Sequence, residues 1–172
     1  MIQSEAIVLS VNPVFERDLL VELFTKDRGR IRTFAKYAQS KKPRFGALLT
    51  TFNWLTVHLI QGRTAYTLRH AQNIQSFNQL KTNYSKVALA YNMVSIIQTM
   101  TPLNMENPGL FELMTTALDQ LNGPASTHDL MPWFCFSLLK NEGVVSEDMN
   151  LNEVDYKKMI ESYTGMKLRT LL

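Results

Sequence analysis

Hydrophobic residues in the first 75 positions of the chain come in short blocks that are separated by turn-forming residues. The blocks are rich in Ile, Val, Thr, Phe and Tyr, which favour the pleated and half-buried surface of a β-sheet. Asn12-Pro13 and Gln61–Arg63 are typical of the turns between such blocks. The pattern predicts five strands, at residues 2–11, 19–25, 31–36, 51–60 and 65–74. Five short strands are too few for a sandwich that covers both of its sheets, and they fit a small closed barrel such as the OB-fold.

From residue 77 onward the hydrophobic residues recur at intervals of three and four, which is the spacing of an α-helix. Start and stop signals flank these stretches, with Pro102 ending the first helix and Asp129 capping the third. The predicted helices span residues 84–100, 110–121, 130–142 and about 152–163. The sequence therefore predicts an α+β protein, with an N-terminal five-stranded OB-fold β-barrel over residues 1–76 and a C-terminal α-helical bundle over residues 77–172.

The longest stretch without a charge runs from Val87 to Met105 and has nineteen residues, which is close to the length of a membrane span. Polar residues and Pro102 interrupt it, which favours a buried helix of a bundle. The N-terminus shows no basic segment before an apolar one, so we expect no signal peptide. With 45% hydrophobic and 19% charged residues over 172 positions, these features predict a globular cytoplasmic protein without a membrane partner.

Few residues are available for catalysis or for binding a metal. Cys135 is the single cysteine and lies in the apolar segment Trp133–Phe136, which predicts a small buried side chain. His58 and His70 fall on neighbouring predicted strands, and a hairpin that turns near Gly62 is expected to pair each of them with another residue. Signatures of a catalytic nucleophile, a phosphate-binding loop and a dinucleotide site are absent. We therefore expect neither an enzyme nor a metal or other cofactor.

The basic residues are concentrated in the first half of the chain. Eleven Lys and Arg stand against five acidic residues in positions 1–80, whereas the rest of the chain has seven against ten. Eight of the eleven lie between Lys26 and Arg44, together with a single acid, Asp27. This asymmetry predicts that the barrel binds a polyanion.

Strand alternation gathers these basic residues on one face of the third strand. Alternate side chains of a strand point to opposite faces, so one face carries Arg30, Arg32, Phe34 and Lys36. Cations neutralise phosphates and flat rings accept stacked bases, a combination typical of single-stranded nucleic-acid binding. The candidate DNA-binding residues are Arg28, Arg30, Arg32, Phe34, Lys36, Tyr37, Lys41, Lys42, Arg44 and Arg63. The alternatives are a solvated strand edge that is kept basic against association, and a Phe34 ring in the barrel core if the alternation is shifted by one residue.

Large apolar side chains of the helical half have two interpretations. By their spacing, the aromatic residues are assigned to the core, and they are Tyr84, Tyr91, Trp133, Phe134 and Phe136. Met93, Met100, Met105 and Met114 either fill gaps in that core or line an adaptable groove for a protein partner. An acidic peptide in such a groove needs nearby cations, and the candidates are Lys81, Lys86, Lys140, Lys157, Lys158, Lys167 and Arg169.

Short segments in a fixed order resemble the N-terminal pattern of the RecO family of bacterial recombination mediators. They are Glu5–Ser10, Glu16–Val21, Leu23–Thr25, Gly29-Arg30, Ala35-Lys36 and Arg44–Ala47, followed by Phe77–Leu80, Leu138–Gly143 and Gly165–Leu168. The resemblance implies an OB-fold followed by a helical domain. It also implies a non-enzymatic protein that binds single- and double-stranded DNA and anneals complementary strands. Its implied partners are a RecR-like protein and the acidic C-terminal tail of the single-strand-binding protein, with which it helps RecA to load.

Two departures from the family pattern bear on the expected site. The family usually has Ala-Lys-Gly-Ala-Arg where this chain has Ala35–Gln39, so that Tyr37 replaces a glycine. Many members carry a four-cysteine zinc module after the segment that matches Gly143, whereas no cysteine follows Cys135 here. We therefore expect no zinc and a shortened C-terminal domain. The alternatives to a DNA-binding mediator are an OB-fold RNA-binding protein and a protein-interaction scaffold, since stacking and phosphate contacts do not separate DNA from RNA.

Overall fold

The computed structural model describes residues 1–40, 44–124, 126–146 and 155–165. Two compact units are present. The barrel unit comprises Met1–Ser76 together with Leu103–Phe111, and the helical unit comprises Phe77–Pro102 and the chain from Glu112 onward. One boundary of these units coincides with the predicted boundary after residue 76, while the short segment Leu103–Phe111 groups with the barrel. That residues 1–76 and 77–172 fold as separate domains stays a prediction.

Five strands close into a barrel in the order β1-β2-β3-β5-β4. They are β1 (Ile2–Val14), β2 (Asp18–Thr25), β3 (Gly29–Ala35), β4 (Trp54–Gln61) and β5 (Tyr66–Gln75). β3 and β5 pair in parallel over a short stretch, and the other four pairings are antiparallel. The predicted five-stranded OB-fold barrel is confirmed.

Alternate residues of the strands fill the interior of the barrel. The buried cluster includes Ala6, Val8, Val21, Leu23, Leu55, Val57, Leu59 and Leu68. On β3, Ile31, Thr33 and Ala35 are fully buried, whereas Arg32 is exposed and Phe34 is half-buried. The predicted alternation of β3 is therefore confirmed, and the Phe34 ring lies on the outer face and not in the core.

Two predicted strand ends are wrong by three residues. β4 begins at Trp54 and not at Thr51, because residues 51 and 52 form a turn in which Phe52 has a φ of +75°. Asn12-Pro13 is expected to stop β1, but β1 runs on to Val14 and stays paired with β2 over this stretch. β4 pairs only with residues Ile2–Ile7 of β1, so a single neighbouring strand accompanies the proline. Proline is tolerated at such an edge because no second ladder needs its missing N–H. The hairpin turn falls at Phe15–Arg17 instead.

A segment from farther along the chain covers one edge of β3. Leu103 forms a parallel bridge with Arg30, and the backbone N–H of Asn104 donates to the carbonyl oxygen of Arg30 at 2.7 Å. Gly29 begins β3 with a φ of +62°, and a Cβ at this position would lie 1.7 Å from the carbonyl oxygen of Met105. A residue without a side chain is required for this approach. Gly29 therefore allows the chain around Met105 to lie directly beside the start of β3.

The helices are α1 (Asn78–Lys81), α2 (Tyr84–Met100), α3 (Pro108–Asn122), α4 (Leu130–Asn141) and α5 (Tyr156–Thr164). Helical spacing predicts α2 at the same residues and α3 and α4 to within two residues at each end, but it misses the short α1. The expected start of the last helix near residue 152 lies outside the described residues. Among the helices in the described ranges, none has both the length and the apolar character needed to cross a membrane.

The cap predicted for α4 is only partly correct. Asp129 occupies the N-cap position, but its side chain accepts no hydrogen bond from a backbone N–H of the helix. Its Oδ1 lies 2.9 Å from Nδ1 of His128 instead. The residue type and position are sufficient to predict where α4 begins, whereas the choice between two local partners depends on side-chain rotamers.

The helix α2 buries a different stripe from the one that contains its tyrosines. Ala90, Val94 and Ile97 are buried, whereas Tyr84 and Tyr91 are 85% and 52% exposed. Both stripes have helical spacing, so spacing alone does not tell which of them faces the core. The prediction that Tyr84 and Tyr91 are core residues is therefore wrong.

Three of the four methionines considered for an adaptable groove are core residues, whereas Met105 is 61% exposed and groups with the barrel unit. Met93 and Met114 are fully buried and Met100 is 7% exposed. A partner cannot reach these side chains, so the groove interpretation is wrong for them. The alternative, that they fill gaps in the core, is confirmed.

The helix α4 carries the apolar segment around the single cysteine. Phe134 and Cys135 are buried, while Trp133 and Phe136 are half-buried. Burial raises the pKa of the Cys135 thiol to about 12, because the thiolate would lose its hydration. The predicted small and buried cysteine is confirmed.

Candidate nucleic-acid interface

Two arginines on the outer face of β3 differ in their availability. Nη1 of Arg30 donates to Oε1 of Glu22 on β2 at 3.1 Å, and the two side chains are only 15% and 12% exposed. Glu22 stands opposite Arg32 in the β2–β3 ladder, yet it forms this ion pair with Arg30. Arg32 is exposed and has no hydrogen bond or ion pair with any other part of the chain that the structure describes. Arg30 therefore joins β2 to β3, whereas Arg32 is free to contact a ligand.

The outer face continues with a ring and a second free cation. Phe34 is half-buried between its ladder neighbours, Leu20 on β2 and Thr67 on β5. Lys36 follows directly after β3, is exposed, and has no polar partner in the described ranges. Alternate residues of a strand lie about 7 Å apart, so Arg32, Phe34 and Lys36 form a row of cation, ring and cation.

Tyr37 is held in an unusual backbone conformation after β3. Its φ is +58° and its ring is 59% exposed. The backbone N–H of Tyr37 donates to Oδ1 of Asp18 at 2.8 Å, and the hydroxyl of Ser40 donates to the Tyr37 carbonyl at 2.9 Å. The left-handed conformation is costly for a side-chain-bearing residue, whereas glycine adopts it freely. This chain therefore keeps a ring at a position where the backbone favours glycine.

Phe15 is a site residue that sequence analysis missed. It lies in the β1–β2 turn with a φ of +59° and is 81% exposed. The backbone N–H of Gln39 donates to the carbonyl of Arg17 at 3.0 Å, which joins this turn to the loop that carries Tyr37. Two exposed rings and the exposed Arg17 thus belong to two bonded turns. A turn at Asn12-Pro13 would leave Phe15 in the approach to the next strand, whereas the observed turn exposes it.

Arg44 is anchored at the far end of the following loop. Its Nη2 donates to the carbonyl of Arg69 at 2.7 Å, and its guanidinium carbon lies 5.5 Å from the centre of the Phe45 ring. The residue is exposed, so the remaining N–H groups of its guanidinium face solvent. The other two basic residues predicted in this loop, Lys41 and Lys42, lie outside the described residues.

Arg28 and Arg63 line a cavity that also includes Arg32. The cavity has a volume of about 490 Å³, is open to solvent on one side, and is lined by the β2–β3 turn, the loop from Gln61 to Tyr66, and the segment Leu103–Glu106. All three arginines are exposed. Of the predicted basic residues, the structure therefore brings Arg28, Arg32 and Arg63 to one concave surface of the barrel unit.

The prediction that His58 and His70 have other partners is wrong. They stand opposite each other in the β4–β5 ladder, with ring centres 5.6 Å apart. A bulge between His58 and Leu59 shifts the register, which brings His70 rather than Arg69 opposite His58. Within the described residues, no group of three or more His, Cys, Asp or Glu side chains could hold a metal ion.

The barrel topology and its surface define a class of protein, namely an OB-type barrel that has a basic and partly aromatic outer face and is followed by helices. A family model described as Recombination protein O N terminal matches residues 1–77. The chain belongs to the RecO family. The family predicted from the order of short segments is therefore confirmed.

Curated proteins similar to the chain carry the name DNA repair protein RecO. The protein from Dehalococcoides mccartyi is 26% identical over 145 residues, which cover 84% of this chain and 57% of the relative. The protein from Pelobacter propionicus is 32% identical over 127 residues, covering 73% of this chain and 52% of the relative. The protein from Salinibacter ruber is 27% identical over 147 residues, which cover 84% of this chain and 56% of the relative. The chain thus spans a little over half the length of these relatives.

Proposed function

We propose that the outer face of β3 and the turns beside it bind single-stranded DNA. The observation that carries the proposal is the row of Arg32, Phe34 and Lys36, in which two exposed cations without a partner in the described ranges flank a half-buried ring. Cations of this kind neutralise phosphates and release counterions, and rings accept stacked bases irrespective of their sequence. The exposed rings of Phe15 and Tyr37 extend the same chemistry beyond Lys36. Because bases in a duplex are already stacked on each other, this surface favours unpaired strands.

We further propose that the binding serves recombinational DNA repair. The name of the similar proteins, DNA repair protein RecO, supports DNA rather than RNA as the ligand. By resemblance to the family, the protein is a non-enzymatic mediator in the cytoplasm. In this role it binds single- and double-stranded DNA, anneals complementary strands and helps RecA to load.

The proposed protein partners are a RecR-like protein and the acidic tail of the single-strand-binding protein. Since Met93, Met100 and Met114 are buried, a site for the tail depends on exposed cations. Nζ of Lys86 is bonded to the carbonyl of Gly123, and Nζ of Lys158 lies 3.1 Å from Oδ2 of Asp155. Lys157 is exposed on α5, while Lys167 and Arg169 lie outside the described residues. Lys81 and Lys140 have interactions of their own within the chain, so we propose the surface around Lys157 as the tail-binding surface.

Salt-dependent binding tests the DNA proposal directly. With four to six phosphate contacts, the affinity for a labelled oligothymidine should fall with salt at a log-log slope of about −3 to −4. The charge reversal Arg32→Glu with Lys36→Glu should weaken binding strongly, whereas Lys157→Glu in the helical unit is the matched control for a lost surface cation. A slope near zero, or equal affinity of the reversed and control proteins, contradicts the proposal. Oligouridine as competitor separates the alternatives, because an RNA-binding protein would prefer it.

A further inference from the structure

The cavity beside β3 has walls from three separate parts of the barrel unit. The β2–β3 turn contributes Asp27 and Arg28, the β4–β5 loop contributes residues 61–66, and Leu103, Asn104 and Glu106 form the third wall. Its volume of about 490 Å³ falls within the range of pockets that bind small ligands. The cavity is thus large enough for a nucleotide-sized group.

Positive charge dominates this cavity. Arg28, Arg32 and Arg63 are exposed, and none of them has a hydrogen bond or an ion pair elsewhere in the described chain. Asp27 and Glu106 are the acidic residues of the lining. Oδ2 of Asp27 accepts a hydrogen bond from the hydroxyl of Ser4 at 2.6 Å. Three guanidinium groups against two carboxylates leave an excess of one positive charge. One guanidinium group can donate two parallel N–H hydrogen bonds to two oxygens of the same phosphate, whereas a lysine ammonium acts as a point charge.

The third wall of the cavity is bonded to the backbone edge of β3 at the start of this strand. Leu103 bridges to Arg30, and the N–H of Asn104 donates to the Arg30 carbonyl at 2.7 Å. The close approach of Met105 to Gly29 keeps this wall against the start of the strand. A phosphate within a strand needs room for the chain to enter and to leave. A cavity with walls on three sides therefore suits the end of a strand better than its middle.

We propose that this cavity binds the terminal phosphate of a DNA strand. The inference rests on the proposed DNA-binding function and assigns the end of the bound strand to the cavity. A terminal phosphate monoester carries about −1.5 to −2 charges at neutral pH and has three free oxygens, whereas a diester within the strand carries a single charge. Arg28, Arg32 and Arg63 supply enough N–H donors for those oxygens, and the remainder of the strand follows the face of Phe34 and Lys36.

Oligothymidines that differ only at their ends test this inference. Three versions with an internal fluorophore are compared by anisotropy, carrying a 5′-phosphate, a 3′-phosphate or hydroxyls at both ends. One of the two phosphorylated versions should bind about five- to tenfold more tightly than the hydroxyl version, through added charge-assisted hydrogen bonds. The version that gains affinity gives the polarity of the bound strand.

Two substitutions of opposite sign assign the effect to the cavity. Arg63→Gln should remove most of the preference for the phosphorylated end, because it should weaken the preferred phosphorylated version by a clearly larger factor than the hydroxyl version. Glu106→Gln removes a repelling carboxylate and should increase the preference. Lys36→Gln, on the face outside the cavity, is the control and should weaken all three versions by the same factor.

The outcomes separate this inference from the function on which it rests. Equal, salt-dependent binding of the three versions overturns the terminal-phosphate site and leaves DNA binding standing. A preference that survives both Arg63→Gln and Glu106→Gln unchanged places the phosphate elsewhere and also overturns it. Absence of binding by every version at low salt contradicts the proposed function itself.

Discussion

Cations occur in both units of the molecule, but their surroundings differ. In the barrel unit, Arg32, Lys36 and Arg63 are exposed and bonded to no other residue of the described ranges. In the helical unit, Lys86 is bonded to a backbone carbonyl and Lys158 to a carboxylate, while Lys157 is exposed. The charge distribution of the sequence shows where Lys and Arg residues are concentrated. The hydrogen bonds and ion pairs of the structure show which of these side chains remain available to a ligand. The barrel unit keeps several cations available, which is the property that a polyanion-binding surface needs.

Arg30 is a cation of the barrel unit whose ion pair makes it unavailable to a ligand. It lies on the same face as Arg32, but its ion pair with Glu22 and its low exposure give it a structural role. Both arginines fit the alternation that predicts the basic face. Only the register between β2 and β3, together with the rotamers of these side chains, shows that Glu22 is paired with Arg30.

The largest effect is expected where the wall of the cavity meets β3. Gly29→Ala would place a Cβ 1.7 Å from the Met105 carbonyl oxygen at a φ of +62°. Because backbone must move, we expect a loss of more than about 3 kcal/mol in the free energy of unfolding. Urea denaturation followed by circular dichroism measures it.

A second glycine provides the control for backbone conformation alone. Gly46 has a φ of +51°, and a Cβ at this position would have no neighbour within 4 Å, so Gly46→Ala should cost only about 1 kcal/mol. Equal losses in the two variants would show that the close approach at Gly29 is unimportant. The segment around Met105 would then not account for the difference between the cavity beside the start of β3 and the open outer face of this strand.

The next largest effect concerns stacking at the two bonded turns. Phe15→Ala and Tyr37→Gly should each weaken binding of an oligothymidine about fivefold or more, because a stacked base contributes about 1–3 kcal/mol. Binding to a duplex of the same length should change little. Tyr84→Ala removes an equally exposed ring from the helical unit and is the matched control. A loss that is the same for single strands and duplexes would argue against stacking.

Tyr37→Gly also separates binding from stability. Glycine adopts the left-handed conformation of this position without strain, so the free energy of unfolding should not fall while the affinity does. Thermal denaturation of the variant beside the unchanged protein measures this. A clear loss of stability would mean that the Tyr37 ring is required for packing and not kept for a ligand.

Substitution of the two neighbouring arginines tests the contrast within β3. Arg32→Gln should reduce the affinity for oligothymidine about fivefold and make the salt slope smaller by about 0.7, which is one phosphate contact. Arg30→Gln removes the ion pair of the poorly exposed Glu22 carboxylate, so it should lower the free energy of unfolding by about 2 kcal/mol. The salt slope of oligothymidine binding should stay unchanged. The reverse assignment of effects would contradict the structural role of Arg30.

Local patterns predict the barrel and the phase of β3 because each strand alternates with a period of two residues. Ile31 and Ala35 are buried, as their positions require, while Arg32 is exposed. The same information could not predict that His58 and His70 are partners. Their pairing depends on a bulge, which is a feature of two strands together and leaves no mark on either strand alone.

The cavity lies beyond the reach of sequence patterns for a different reason. Local patterns predict Arg28, Arg32 and Arg63 as separate candidates, and one wall of the cavity comes from Leu103–Glu106, well outside the predicted barrel. Contacts between distant parts of a chain are not encoded in local periodicity. The exposed ring of Phe15 was missed for a local reason, because the turn expected at Asn12-Pro13 falls at Phe15–Arg17 in the structure.

The smallest expected effect concerns the helical unit and an acidic peptide. Lys157 is an exposed cation of α5, so Lys157→Glu should weaken a labelled peptide that matches an acidic tail about two- to threefold, which is typical of one solvent-screened charge. The same variant should bind oligothymidine as the unchanged protein does, while Arg32→Glu should show the opposite pattern. Fluorescence titration of the full chain with both ligands measures the four affinities. If Arg32→Glu weakens the peptide and Lys157→Glu does not, the peptide and DNA compete for the available cations of the barrel, and the helical unit has another role.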